Sequence, residues 1–174
     1  MKRFLFKLLI LILIVPVLLT AEEKKSMSNL SESKLSIEDF CLVNSNGEEF
    51  RLYKNIYDIK DFTLQNSELL YINPIDDNYS WLKKRFNDIE VVWVKQSGYI
   101  LSCRTESRQY ETKRSVKIGD PVEKIISLYG SEYSKKNLMV IEYDLGSEEF
   151  ESMMALVFHL QNEKVIKIEI MSEN

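Results

Sequence analysis

The chain is poor in the residues that most often carry chemistry. Its 174 residues include one histidine, His159, and two cysteines, Cys41 and Cys103. A catalytic nucleophile needs a base within hydrogen-bond reach, most often His. His159 stands in an alternating run with Leu156, Phe158 and Leu160, so on a strand it points away from the face they bury. The spacing of the cysteines and the lone His fits no zinc pattern, and neither a phosphate loop nor a dinucleotide glycine pattern is present. Paired carboxylates are the remaining route to catalysis. Asp76-Asp77, and Glu148-Glu149 with Glu151, fall in polar loops and lack the full ligand spacing of a calcium site or a hydrolase pair. No catalytic, cofactor-binding or metal residue is assigned, and the chain reads as a non-enzyme. With 5 Gly and 3 Pro it is not a low-complexity chain either.

A net basic charge is also lacking. Lys2, Arg3 and Lys7 are three of the 23 basic residues and no acid precedes Glu22, so beyond Ala21 the net charge falls from −4 to −7. That balance argues against a nucleic-acid partner, which needs basic surface to displace counterions from phosphates. The positive start, the apolar run Leu8 to Leu19 and the small Ala21 before Glu22-Glu23-Lys24-Lys25 have the order of a secretory signal peptide over 1–21. The apolar run is shorter than the ~20 residues of a spanning helix. Membrane contact is therefore expected only if this segment is retained, and the location is extracytoplasmic, periplasmic or secreted. In such a compartment Cys41 and Cys103 are compatible with one disulfide or with two buried thiols.

Residues 22–36 are Ser-rich and aperiodic, a flexible leader. Phe40 to Val43, the turn Asn44-Ser45-Asn46-Gly47 and Glu48 to Tyr53 predict strand, turn and strand. Asn55 to Phe62 predicts a short helix with Ile56, Ile59 and Phe62 inward, Leu69 to Ile72 a strand, and Tyr79 to Phe86 a helical turn. Two hairpins are clearer: Glu90 to Lys95 with Tyr99 to Thr105, and Met154 to Leu160 with Lys164 to Met171. Between them Asp120-Pro121-Val122-Glu123 predicts a capped helix start. Val122, Ile125, Ile126 and Tyr129 form its apolar stripe, and Gly130 stops it.

The segments suggest a repeat. Gly98 to Thr105 aligns with Glu163 to Ile170, and Leu52 to Ile56 with Ile118 to Val122. The expected fold class is α+β, an antiparallel sheet packed on one face by short helices. It would be built as two tandem helix-plus-hairpin units, a degenerate one over 37–110 and a clean one over 111–174.

The run Val116-Lys117-Ile118-Gly119-Asp120-Pro121-Val122-Glu123-Lys124-Ile125-Ile126-Ser127-Leu128-Tyr129-Gly130 resembles the helix motif of the β-lactamase-inhibitor-protein-like fold. The small-protein-A type of outer-membrane assembly lipoprotein shares that unit. The resemblance implies a following Tyr-containing strand, here Tyr143, and an apolar hairpin. It implies action by binding proteins, an analogy of fold. The chain departs from the lipoproteins in having no lipid-acceptor Cys near residue 21.

If helices cover the face bearing Leu101, Cys103, Leu156, Phe158, Ile166, Ile168 and Ile170, the other face is open. The candidate protein-binding residues there are Ile100, Ser102, Arg104, Val157, His159, Val165, Lys167 and Glu169. Trp81, Trp93, Tyr99, Tyr110, Tyr133 and Tyr143 are either core or interface anchors. The expected function is an exported protein-binding module, inhibitor-like in its mode. The alternatives are a structural or assembly component of the cell envelope, or a hydrolase using the acidic loops.

Overall fold

Short polar turns between β-rich runs dictate a sheet, and the computed structural model, which describes residues 34–72, 75–147 and 152–173, has one of eight strands. Two small strands, β1 (Cys41–Asn44) and β2 (Glu49–Arg51), come first. They are followed by β3 (Glu68–Tyr71), β4 (Trp81–Phe86), β5 (Ile89–Val94), β6 (Ile100–Thr105) and β7 (Tyr110–Thr112). Among the described residues one α-helix, α1 (Val122–Tyr129), precedes β8 (Lys135–Lys136), β9 (Val140–Ser147), β10 (Ser152–Gln161) and β11 (Lys164–Glu173). The large sheet is antiparallel in the order β3-β4-β5-β6-β11-β10-β9-β8, and β2-β1-β7 forms a second sheet of three strands.

Alternation sorts the large sheet into two faces. Val91, Cys103, Ile168, Ile170, Leu156, Phe158, Ile141 and Tyr143 point inward and are buried. Phe40, Leu42 and Phe50 of the small sheet and Ile125 and Tyr129 of α1 join them in one core. The expected α+β class holds in this form: one helix and a small sheet, rather than several helices, supply the packing layer. Packing reaches back to Leu35, which lies against the core within the segment expected to be leader. The expected signal peptide over 1–21 lies outside the described residues.

Two expected helical segments are corrected. Tyr79 to Phe86 is not helical; after a 3-10 turn at Asp77–Tyr79, the chain enters β4, paired from Trp81↔Val94 to Phe86↔Ile89. The cause is the turn Asn87-Asp88, both left-handed at φ 47° and 67°. Two such residues form the tight hairpin that sends β4 straight back into β5. Asn55 to Phe62 makes only one 3-10 turn, Ile56–Asp58, because Ile59 is already extended. Ile56 and Ile59 are nonetheless buried and Phe62 packs edge-on to Trp93, so the inward set was right while the helix was not.

At α1 the expected capping box is absent. The Asp120 carboxylate accepts from the Lys117 N–H at 2.7 Å and from Lys124 Nζ at 2.8 Å, and Pro121, extended, occupies the cap position. The inward stripe is Val122, Ile125, Leu128 and Tyr129, with Leu128 in the place assigned to Ile126. Gly130 ends the helix at φ 86°, a conformation that favours glycine. The Tyr143 hydroxyl donates to the Gly130 carbonyl at 2.8 Å, tying β9 to that helix end.

Both hairpins enter the sheet through the same contacts. In the first, Tyr53 N–H donates to Ile100 O, Ile100 N–H to Lys54 O and Ile56 N–H to Gly98 O. In the second, Gly119 N–H donates to Val165 O, Val165 N–H to Asp120 O and Val122 N–H to Glu163 O. Each hairpin also carries one register shift, between Val92 and Trp93 opposite Leu101, and between His159 and Leu160 opposite Ile166.

Candidate functional site

Those register shifts decide what the outer face presents. An extra residue in one strand breaks the two-residue period, so side chains beyond it change face. Ile100 and Val165, expected outside, are buried at 0% and 1% exposure, while Ile166, expected inside, is 43% exposed. The other six candidates, Ser102, Arg104, Val157, His159, Lys167 and Glu169, are brought together on the outer face of β6, β11 and β10.

Sequence reasoning did not assign the outward residues of the strands flanking them. Register places Arg85 opposite Glu90, Glu90 opposite Arg104, Arg104 opposite Glu169, Glu169 opposite Val157, Val157 opposite Glu142 and Glu142 opposite Lys135. One row of side chains thus crosses the sheet from β4 to β8. A parallel row, Lys83, Val92, Ser102, Met171, Ala155 and Asp144, runs beside it and is apolar or small at its centre. The missing signal was the parity of β5: with Val91 and Trp93 inside, Glu90 and Val92 must face out.

Charges in the first row are partly matched. Arg104 meets Glu90 at 3.0 Å, and one carboxylate oxygen of Glu169 takes both Lys167 at 3.1 Å and His159 at 3.3 Å. Burial, then the nearby Lys167 charge, push the His159 pKa down, and Glu169 only partly opposes them. The balance favours the neutral ring. Arg85, Asp88, Glu90, Arg104, Thr105, Glu106 and Lys167 line a shallow recess of about 170 Å³ at one end of the row.

The remaining candidates lie elsewhere. Trp93, Tyr110 and Tyr143 are core, Trp81 and Tyr133 are half-buried, and Tyr99 is exposed. Cys41 and Cys103 are both buried free thiols, so the bridge weighed against buried thiols is not formed. Burial above all, with the Glu49 charge, pushes the Cys41 pKa up to about 12; burial, with the Cys41 charge, pushes Cys103 up as well. Asp76 accepts from Asn78 N–H at 3.0 Å, and Asp77 pairs with Lys95 and accepts from Ser80 Oγ. Glu148, Glu149 and Glu151 lie outside the described residues. Among the described residues no group of three or more His, Cys, Asp or Glu side chains could hold a metal ion, and no helix is long and apolar enough to cross a membrane.

No protein-family model, curated protein or solved structure matches the chain.

Proposed function

We propose that this chain is an exported, non-catalytic protein-binding module that docks its partner on the outer face of the large sheet. The observation that carries the reading is the row from Arg85 to Lys135, flanked by Val92, Ser102, Met171 and Ala155. Charges held by neighbours give orientation, and Ser102 and Met171 beside them are half-buried, while Val92, Val157 and Ala155 are already covered at 9%, 6% and 2% exposure; the face suits a polar protein interface. The unit is of the β-lactamase-inhibitor-protein-like kind, used twice. The matching hydrogen bonds at Tyr53, Lys54 and Ile56 and at Gly119, Asp120 and Val122 support that duplication. So do the shifts opposite Leu101 and Ile166. The first copy replaces the helix by the turn at Ile56–Asp58.

The test is capture of partners by the protein as its producing cell processes it, compared with the double variant Arg104→Glu, Lys167→Glu. Loss of a specific partner with the melting temperature unchanged is expected. Undiminished capture by the folded variant assigns the interface elsewhere.

A further inference from the structure

Turn residues are usually Gly, Pro, Asn, Asp or Ser. The hairpin joining β8 to β9 departs from that: after Asn137 its tip is Leu138, 94% exposed, and Met139, 69% exposed. The tip is held by its own hydrogen bonds. Asn137 N–H donates to Val140 O at 2.9 Å, and the Asn137 side-chain oxygen accepts from Met139 N–H at 2.8 Å and Val140 N–H at 2.9 Å. The Met139 carbonyl accepts from Leu160 N–H at 2.7 Å. Three of the four amide N–H groups from Asn137 to Val140 are thus satisfied inside the hairpin, so taking the tip out of water strands few polar groups. Behind the tip stand Lys135 and Lys136, both exposed. Successive strand residues point to opposite sides, so one lysine flanks the hairpin on each face. Lys135 Nζ lies 4.0 Å from Glu142, and Lys136 Nζ lies 5.3 Å from the centre of the Tyr133 ring.

We propose that this tip is a membrane-surface anchor: Leu138 and Met139 enter the apolar margin of an anionic bilayer while Lys135 and Lys136 meet its headgroups, a contact independent of segment 1–21. The occupant follows from area and from charge. Two projecting side chains fall far short of the roughly 800 Å² per partner that a specific protein interface takes. A bilayer needs no matching pocket, and each apolar side chain gains separately on entering it. At a strand rise of ~3.4 Å, Lys136 and Lys135 lie about 7 and 10 Å behind Leu138, the headgroup level when the tip reaches the acyl boundary. Their long stems let the ammonium groups stay there while the tip goes deeper. The neighbouring β10–β11 turn adds Glu163 and Lys164, one charge of each sign, and Glu142 offsets Lys135 alone, so the local balance is positive. The acidity of the rest of the chain is screened beyond the Debye length of ~8 Å.

The test places an environment-sensitive fluorescent label at Leu138→Cys in the protein as its producing cell processes it; Cys41 and Cys103 are buried. Tyr99→Cys is the control, an exposed site in the β5–β6 turn at the other end of the strands. With mixed phosphatidylcholine–phosphatidylserine vesicles the label at 138 should brighten and be quenched by bromine carried on the lipid chains, and should respond less to phosphatidylcholine alone. The label at 99 should stay silent. In co-sedimentation with the mixed vesicles, Leu138→Ser with Met139→Ser should weaken partition about tenfold or more, the worth of one buried Leu. Lys135→Gln with Lys136→Gln should weaken it about fivefold or more, with both melting curves unchanged. A label at 138 that stays silent on the mixed vesicles overturns the proposal, whether or not segment 1–21 is retained, because lipid held through that segment leaves the label in water. So does a label that responds to a captured protein and not to vesicles, which assigns the tip to a protein pocket.

Discussion

Arg104 and Glu169 stand directly opposite each other across β6 and β11, yet each is held by other groups: Arg104 pairs with Glu90 on β5, and Glu169 pairs with Lys167 on its own strand and contacts the His159 ring on β10. The pair sits where the two hairpins join, at the middle of the outer row. Neither charge is spent on the other, so a partner arriving there meets one cation and one anion side by side.

Arg104 is 48% exposed at its side chain, and its pair with Glu90 is correspondingly screened. Arg104→Ala is expected to change unfolding free energy by under about 1 kcal/mol. Its effect should appear in partner capture and in the salt dependence of that capture. Urea titration and capture at two ionic strengths separate the two.

Arg114 is a different kind of cation. Its guanidinium donates to both oxygens of Asp39, each at 2.6 Å, and to the Leu128 carbonyl at 2.8 Å, and it lies 4.9 Å from the Tyr129 ring centre. Asp39 is 4% exposed. Removing one partner strands the other charge, so Arg114→Ala should lower stability by roughly 3 kcal/mol. Arg114→Lys should restore little of it, because an ammonium cannot make the two-pronged contact. Urea unfolding of the two variants is the measurement. A loss under 0.5 kcal/mol for Arg114→Ala, about that of an exposed helix pair, would show that this lock contributes nothing.

The contrast between these two arginines marks what was legible in the sequence. The hairpins could be read because alternation and polar turns are local, and so could the end of α1 at Gly130. Arg114 could not be singled out: its partners Asp39 and Leu128 are brought to it by the whole fold. Leu101 and Ile166 were misread because nothing in a run such as Tyr99-Ile100-Leu101-Ser102-Cys103 announces an extra residue. The error carried Ile100 and Val165 to the wrong face. Trp81, Leu82 and Phe86 fitted a helical side as well as a strand. The deciding signal was Asn87-Asp88, which only the hairpin geometry uses. Asp120 looked like a cap by type and position, but Lys117 N–H and Lys124 claim its carboxylate.

His159 gives the outer face a pH response of known sign. Burial, then Lys167, hold its pKa below the unfolded value of about 6.5. The unfolded chain therefore binds the proton first, and the stability that the neutral ring contributes is fully present above pH 6.5. It is lost as pH falls from there toward the lower folded value. His159→Gln should flatten the pH dependence of unfolding in that window and leave it unchanged above pH 7. Unfolding at matched salt between pH 5 and 8 checks it; an unaltered slope in the variant removes His159 as the source.

Cys41 and Cys103 set a last test, because their thiols are buried and held protonated. A thiolate is the species that reacts, so both should resist a thiol reagent at pH 8 in the folded protein and react at once in denaturant. A mild oxidant should leave the folded chain reduced, since a bridge is absent and access to either sulfur requires opening the core. Cys103→Ser should cost about 1–3 kcal/mol, because a hydroxyl in that fully buried position must find an acceptor among Val91, Ile170 and their apolar neighbours. Mass measurement of the folded chain with and without reductant decides the point. A mass lighter by two hydrogen atoms without reductant would establish an intramolecular bridge between these two residues and contradict the free thiols.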